Sequence, residues 1–151
     1  MSPREVDPFP LDDHLCFSIY GAHLALQRIY KPVLDRLGLT YPQYLALSLL
    51  WETDGQTVGQ LAAQLDLVSS TMTPLLKRLE ASGFVRRARD PENERQVVIF
   101  LTTHGAQAQS HSNELKATLL AASGWSDREV AVLNATLQNL RDELRESLDT
   151  E

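Results

Sequence analysis

Residues 56–101 read QTVGQLAAQLDLVSSTMTPLLKRLEASGFVRRARDPENERQVVIFL, and the order of elements in this stretch decides the fold. Thr57 begins the sequence Thr-Val-Gly-Gln, a capping box that predicts the start of a short helix. Ser69 and Ser70 are predicted to cap a second helix over about residues 71–81. The apolar residues expected on the inner faces of these two helices are Leu61, Ala62, Leu65, Leu75, Leu76 and Leu79.

The hydrophobic period changes after Gly83. Residues 84–89 (FVRRAR) and 96–101 (QVVIFL) are β-prone, and the polar turn Asp-Pro-Glu-Asn-Glu separates them, so we expect a two-stranded ribbon. A short helix, a turn, a second helix and a hairpin, in this order, make a winged helix-turn-helix. In that fold the second helix, the recognition helix, fits the DNA major groove. The hairpin, or wing, lies along the backbone or in the minor groove.

The outward-facing residues of these two elements are the ones expected to contact DNA. Hydroxyls near a helix N-terminus reach base edges and phosphates, and basic side chains pair with phosphates. The pattern selects Ser69, Ser70, Thr71, Thr73, Lys77 and Arg78 on the helix and Arg87, Arg89 and Arg95 on the wing. The acidic turn opposes phosphate binding unless Arg95 pairs with Asp90. The alternative is a solvated polar face on an ordinary α+β domain, but the ordered series of four elements favours DNA binding.

The charge of the chain is compatible with this interpretation although the protein is acidic overall. The formal net charge is −6 and the sequence pI is about 5.2. Residues 77–95 carry six basic and four acidic side chains, so this segment is positive within an acidic chain. Because a phosphate contact needs only a local positive surface, the overall acidity does not exclude DNA as a partner.

The rest of the chain predicts a mostly helical protein that forms a single domain over residues 1–151. The first ten residues contain three prolines and are expected to form an irregular arm. Residues 11–37 have the apolar spacing of a long helix, which Asp12 or Asp13 is expected to cap. A later helix is expected to run unbroken to about residue 122. The capping signals expected to open the remaining helices are Thr40 with Gln43, Thr102 or Thr103, and Ser126 with Glu129.

Several classes of protein are excluded by composition. No run of eighteen apolar residues predicts a membrane span, and the acidic, proline-containing N-terminus does not have the pattern of a secretion signal. A single cysteine, Cys16, excludes a disulfide framework and a zinc site built on several thiolates. No metal-ligand spacing, catalytic triad, phosphate loop or dinucleotide fingerprint is present. We therefore expect a cytoplasmic, non-enzymatic protein with no cofactor and no metal.

Three segments resemble the MarR family of dimeric bacterial repressors, and more narrowly its organic-hydroperoxide sensor (OhrR-like) branch. They are DHLCFSIYGAHLALQRIYKPVLDRLGL, TYPQYLALSLLWE and LVSSTMTPLLKRLEASGFVRRARDPENERQVVIFLT. The resemblance implies a homodimer formed through residues 11–38 and 103–149, which represses by binding a pseudo-palindromic operator. It also implies that Cys16 senses peroxide and that Tyr20 and Tyr30 hydrogen-bond its thiolate, in the one-cysteine type of the branch. The DNA-reading positions that it implies are Ser69, Ser70, Thr71, Thr73, Pro74, Lys77 and, in the wing, Arg95.

Spacing along the first helix adds a geometric condition to the cysteine site. Only a thiolate attacks a peroxide, and the dipole of a helix favours a thiolate in its first turns, where Cys16 lies. Tyr20, His23, Gln27 and Tyr30 continue the same helical stripe. Tyr30 is fourteen residues from Cys16, which is about 21 Å along a straight helix, so it cannot reach the cysteine of its own chain. Contact between the two requires a second, antiparallel chain.

Oxidation of Cys16 is expected to give a sulfenic acid, which then reacts with a small thiol or a backbone nitrogen or is oxidised further. The hydroxyl network around the thiolate is then lost and the spacing of the two recognition helices changes. Since a dimer tolerates little error in half-site separation, we expect DNA to be released. The apolar neighbours Leu15, Phe17 and Ile19 favour an organic hydroperoxide as the effector.

Three other interpretations stay open at this point. In the first, Cys16 is an inert, buried small hydrophobe and the tyrosines only pack the dimer. In the second, the protein is a MarR-type repressor released by a small aromatic ligand in the dimer cleft, with Cys16 incidental. In the third, the protein is a thiol peroxidase, which would consume peroxide continuously in the presence of a thiol reductant.

Overall fold

The computed structural model describes residues 9–150, in which seven α-helices surround a small antiparallel sheet. Residues 1–8 of the expected N-terminal arm and residue 151 lie outside this range. Short 3₁₀ turns occur at Leu11–Asp13 and Ala108–His111. The elements are α1 (Leu15–Leu37), α2 (Tyr41–Glu52), β1 (Gln56–Thr57), α3 (Val58–Leu65), α4 (Ser69–Ala81), β2 (Val85–Arg89), β3 (Val97–Leu101), α5 (Thr103–Gln107), α6 (Ser112–Ser123) and α7 (Asp127–Asp149).

The helices α3 and α4 and the β2–β3 hairpin confirm the predicted winged helix-turn-helix. In the hairpin, Val85 pairs with Leu101 and Arg89 pairs with Val97. The prediction of two strands was incomplete because β1 pairs antiparallel with the other edge of β3 and makes a three-stranded sheet. β1 is only two residues long, too short to give a period, and its partners are more than forty residues away in sequence.

The buried core lies where α2, α3 and α4 meet the sheet. Its fully buried side chains are Leu47, Leu50, Leu61, Met72, Leu76, Leu79, Val85 and Ile99. Leu75, predicted to face inward, is only half-buried, and Met72 takes the inner position one turn earlier. The core therefore fixes the rotation of α4 about its axis and determines which of its residues face solvent.

Most of the predicted helix caps are present. The capping boxes at Thr40, Thr57 and Ser126 form, and the side chain of Thr102 accepts a hydrogen bond from the backbone of Gly105. Each of these signals is complete within four residues, so tertiary structure is not needed to read it.

Two predicted caps are wrong. Asp12 and Asp13 lie in a separate 3₁₀ turn, and α1 begins after His14 without a side-chain cap. Ser69 and Ser70 are the first two residues of α4, whose N-cap is Val68, again without a side-chain cap. The helix begins early because the carbonyl of Val68 already accepts hydrogen bonds from the backbone of the third and fourth helical residues.

The single helix predicted up to residue 122 is also wrong, because the 3₁₀ turn Ala108–His111 divides it into α5 and α6. α5 packs against β3, whereas α6 packs against α1. An ion pair between Arg36 and Glu114, 2.8 Å apart, joins α1 to α6. The two pieces therefore contact different parts of the molecule, and the tighter turn connects them.

The first turns of α1 and the whole of α7 leave apolar side chains uncovered. α7 has no buried residue, and an ion pair from Arg145 reaches Asp66 in the turn between α3 and α4. The exposed large hydrophobic residues of these two helices and of the segments just before them are Phe9, Leu11, Leu15, Phe17, Ile19 and Tyr20, and Trp125, Val132, Leu133, Leu137, Leu144 and Leu148. None of the helices within the described range has the length and apolar character needed to cross a membrane.

Candidate functional site

The residues of α4 that were predicted to read DNA lie on its outer face. Burial of Met72, Leu76 and Leu79 turns the opposite side of the helix towards solvent. Thr73 is half-buried, and its hydroxyl donates a hydrogen bond of 3.0 Å to the carbonyl of Ser69. The exposed members of the set are Ser69, Ser70, Thr71, Pro74, Lys77 and Arg78.

Arg87 of the wing is held by a carboxylate from α4. Its backbone N–H donates to Glu80 Oε2 at 2.9 Å, and its side-chain Nε donates to Oε1 at 3.0 Å. These hydrogen bonds from the Arg87 backbone and side chain hold the pKa of Glu80 below its usual value. The carboxylate thus stays charged and ties the end of α4 to the first strand of the wing.

The other two wing arginines lie beside the turn. One terminal nitrogen of Arg89 donates to the carbonyl of Glu94 at 3.3 Å. The Asp90 carboxylate accepts the backbone N–H of Glu92 at 2.9 Å and does not pair with Arg95. Among residues 9–150, Arg95 forms no ion pair. The ion pair between Arg95 and Asp90 that would have offset the acidic turn is therefore not formed within one chain. The positive charge of Arg95 stays available to bind an anion.

An open cavity of about 350 Å³ brings the predicted helix and wing residues together. Ser69 and Thr73 line it from α4, and Arg87 and Arg95 line it from the wing. The start of α3 closes a further side. Polar residues of the predicted helix and wing therefore line one concave surface together with the apolar side chains of Val58, Leu76 and Val97.

Cys16 and Tyr20 lie on the uncovered part of α1. Cys16 is exposed, and the side chain of Tyr20, one helical turn away, is also exposed. The surrounding apolar residues Leu15, Phe17 and Ile19 are 57%, 40% and 39% exposed. The single chain leaves this thiol and its apolar surroundings open to solvent.

Tyr30 lies farther along α1, in a row of aromatic side chains. Its ring stacks against that of Tyr41 with centroids 6.1 Å apart, and Tyr44 lies 6.5 Å beyond Tyr41. His23 packs edge-on against Tyr41 and lies 3.1 Å from the side-chain nitrogen of Gln27. Because α1 is continuous over Leu15–Leu37, a single chain does not bring Tyr30 to Cys16.

The aromatic row continues from α2 to the root of the wing. Tyr44 packs edge-on against Trp51, with centroids 5.6 Å apart. The Trp51 indole N–H donates a 2.8 Å hydrogen bond to the carbonyl of Gly105 at the start of α5. A contiguous set of packed rings therefore joins the tyrosine pair of α1 and α2 to the segment that follows β3.

The tyrosine hydroxyls of this row are held in their neutral form. Burial raises the pKa of Tyr30, and the neighbouring Tyr41 and Tyr44 raise it further. Burial also raises the pKa of Tyr41 and of Tyr44. A neutral phenol keeps its O–H, so these groups remain hydrogen-bond donors at every physiological pH.

We expect three of the four tyrosines to ionise above pH 10 in the folded protein, which tyrosinate absorbance measures directly. Since folding raises these pKa values, their contribution to stability is complete below about pH 10 and is lost as the pH rises further. The Tyr41→Phe variant should remove one of the three ionisations that occur above pH 10. It should also bring the pKa of Tyr30 closer to its usual value, because Tyr41 helps to raise it. A folded protein that titrates like the denatured chain would contradict the packing of this row.

Sequence reasoning missed two residues of these sites. Tyr41 was assigned only to the start of α2, although it stacks on Tyr30. Glu80 was counted only as an acidic charge, although it orients Arg87. Both roles depend on contacts between different elements, so helical spacing alone gave no signal for them. No group of three histidine, cysteine or acidic side chains in residues 9–150 is arranged to hold a metal ion.

Comparison with known proteins identifies the family. The MarR family model matches residues 39–97. The organic hydroperoxide resistance transcriptional regulator of Bacillus subtilis (strain 168) is 41% identical over 143 residues, which are 95% of this chain and 97% of that protein. The chain belongs to the MarR family. The HTH-type transcriptional regulator TtmR of Methylorubrum extorquens (strain PA1) is 48% identical over 138 residues, covering 91% of this chain and 71% of that protein.

A solved MarR-type structure, that of reduced AbfR bound to DNA, is also similar. It has 39% sequence identity and a TM-score of 0.66, with 89% of this chain and 93% of that chain covered. The resemblance inferred from three sequence segments is therefore confirmed, together with the winged-helix fold. The relatives are named as transcriptional regulators, so this MarR-family chain is a transcriptional regulator and not an enzyme.

Proposed function

We propose that this MarR-family regulator is a homodimeric repressor that leaves its operator when an organic hydroperoxide oxidises Cys16. The observation that carries the proposal is the division of α1 into two parts. An exposed cysteine and Tyr20 lie in its first turns, and Tyr30, more than three turns farther on, stacks on Tyr41 at the start of α2 and is partly desolvated there. A continuous α1 keeps these two parts apart within one chain, and they meet if two copies of α1 run antiparallel.

The uncovered apolar surface supports the dimer. Its exposed hydrophobic residues fall within residues 9–20 and 125–148, and all except Phe9 lie inside residues 11–38 and 103–149, the two regions expected to form a subunit interface. Contiguous apolar surface of this kind marks an interaction site in a globular protein. In the antiparallel pairing, Cys16 of one subunit lies against Tyr30 and Tyr41 of the other, and Tyr20 approaches from its own helix.

The sensing chemistry follows from a thiolate held by neutral hydroxyls. The sulfur attacks one peroxide oxygen, the O–O bond breaks, and the alcohol leaves after taking a proton. Sulfur is oxidised to a sulfenic acid while the hydroperoxide is reduced. A small thiol then condenses with the sulfenic acid, which releases water and leaves a mixed disulfide. The exposed apolar side chains Leu15, Phe17 and Ile19 favour a hydroperoxide with an apolar body.

Operator binding is assigned to the outer face of α4 and to the wing. Ser69, Thr73, Arg87 and Arg95 face one cavity, and Lys77 is exposed on the same helix. Two copies related by a two-fold axis match a pseudo-palindromic double-stranded operator. Oxidation changes the packing between the two α1 helices and hence the distance between the two copies of α4. We place this activity in the cytoplasm, where the chromosome and small thiols are present.

The names of two similar proteins support the proposal. The B. subtilis relative is named for organic hydroperoxide resistance, and the AbfR structure is described as reduced and bound to DNA.

The test is an operator-binding titration before and after cumene hydroperoxide, on the wild type and on Cys16→Ser. The wild type should lose at least about tenfold in affinity, within the usual range of allosteric coupling, and should recover it with a small thiol. Cys16→Ser should bind the same operator and stay bound, because its hydroxyl does not react.

Release of Cys16→Ser by the peroxide would refute the cysteine assignment. Release of both proteins by a phenolic compound, with no response to peroxide, would select the alternative of an aromatic ligand in the dimer cleft. A structurally matched control is Ser18→Ala, which lies on the same exposed segment of α1 and should respond like the wild type.

A further inference from the structure

Val68 is exposed in a place that the dimer does not explain. It is 65% exposed, whereas the other exposed large hydrophobic residues within residues 9–150, apart from Phe9, all lie in the two regions assigned to subunit contact. Val68 stands apart from them, at the N-cap of α4. The apolar residues proposed for subunit contact in α1 and α7 therefore do not include this side chain, although Arg145 of α7 pairs with Asp66 two residues before it.

The position also disfavours valine on grounds of helix stability. Valine makes no side-chain hydrogen bond at the start of α4. Serine, threonine, aspartate and asparagine are strongly preferred at an N-cap, and valine is among the poorest residues there. The same chain places threonine or serine at the N-caps of α2, α3, α5 and α7. An apolar residue at this one N-cap is therefore unfavourable both for the helix and for solvation.

We propose that Val68 packs against the C5-methyl group of a thymine in each operator half-site and so selects thymine at that position. N-terminal residues of a recognition helix contact base edges, and an apolar side chain matches the methyl group that only thymine presents in the major groove. The neighbouring hydroxyls of Ser69, Ser70 and Thr71 are exposed and available for polar edges and phosphates. The inference rests on the proposed operator binding and is independent of the peroxide chemistry.

Replacing thymine by deoxyuridine tests the contact, because it deletes the methyl group and leaves base pairing intact. The probe is the duplex that the wild-type protein selects from a random-sequence pool. Each thymine and its symmetry mate are replaced in turn, and affinity is measured. At one position the wild type should lose about fourfold per half-site, the value of one buried methyl group, or about fifteenfold for both.

Two variants complete the test. Val68→Ala should bind the deoxyuridine duplex and the thymine duplex equally at that position, while its response at every other thymine stays like that of the wild type. Val68→Ser should restore a helix cap and raise the unfolding temperature, and should still lose discrimination at that thymine. The Val68→Ser variant thus separates a base contact from helix stability, because its stability should rise while its discrimination between thymine and deoxyuridine falls.

Three outcomes overturn the inference. If the wild-type protein loses no affinity when any thymine is replaced by deoxyuridine, the inference is overturned while the proposed operator binding stands. Equal sensitivity of Val68→Ala and the wild type at every thymine overturns it in the same way. Failure to select any duplex overturns the proposed operator binding and this inference together.

Discussion

Replacing Gly105 with alanine should destabilise the fold by more than about 3 kcal/mol, beyond the usual range for an overpacked core. A Cβ at this position would overlap the carbonyl oxygen of Phe84 and lie 2.9 Å from its carbonyl carbon. Phe84 cannot move aside easily. Its N–H donates to Leu79 and its carbonyl accepts from Thr102, so both of its backbone groups are held.

Chemical denaturation followed by tryptophan fluorescence measures this effect, since Trp51 donates to the carbonyl of Gly105. The matched control is Gly59→Ala. There the new methyl group meets nothing closer than 3.9 Å, and the helical backbone of α3 accepts alanine. It should leave stability unchanged or raise it by up to about 1 kcal/mol. Equal stability of Gly105→Ala and the wild type would show that α5 does not approach Phe84 as described.

Replacing Leu137 with glutamate should abolish the proposed dimer and weaken operator binding by more than about 100-fold, because two half-sites can no longer be bound together. Leu137 belongs to a stripe along α7 that also contains Leu133, Leu144 and Leu148, all exposed in the single chain. A carboxylate there is tolerated in a monomer but is buried without a partner in the proposed interface. Sedimentation measures the oligomeric state, and titration measures affinity.

The control for this variant is Gln138→Glu, which adds the same charge at the next residue and off the apolar stripe. It should remain dimeric and bind the operator within about twofold of the wild type, because surface substitutions are usually within 0.5 kcal/mol. A dimeric Leu137→Glu protein with wild-type affinity would exclude α7 from the interface and remove the basis for an antiparallel cysteine site.

The parts of the fold that could be predicted are those whose signals are local. The capping boxes at Thr40, Thr57 and Ser126 are complete within four residues, and the change of period after Gly83 marks the wing. The start of α4 could not be predicted in the same way, since the serines there suggest a cap. Met72 and Leu76 lie on the same side of α4 and are fully buried. Their burial depends on how α4 packs against other elements, so helical spacing did not predict it for Met72.

The same distinction applies to the candidate site. The stripe from Cys16 to Tyr30 follows from helical spacing and required only a continuous α1, which the structure has. The stacking of Tyr41 on Tyr30 joins α2 to α1, and the hydrogen bond from Arg87 to Glu80 joins β2 to α4. Such contacts depend on how the elements pack in three dimensions, and local spacing along the chain does not reveal them.

The two residues of β1 have a mechanical consequence. β1 pairs with β3 through Gln56 and Thr57, and the chain passes directly into α3 at Val58. This pairing joins the base of the hairpin to the start of the helix-turn-helix and should restrict its movement relative to α3. We therefore expect the two elements proposed to face DNA, α4 and the wing, to move together when α3 shifts.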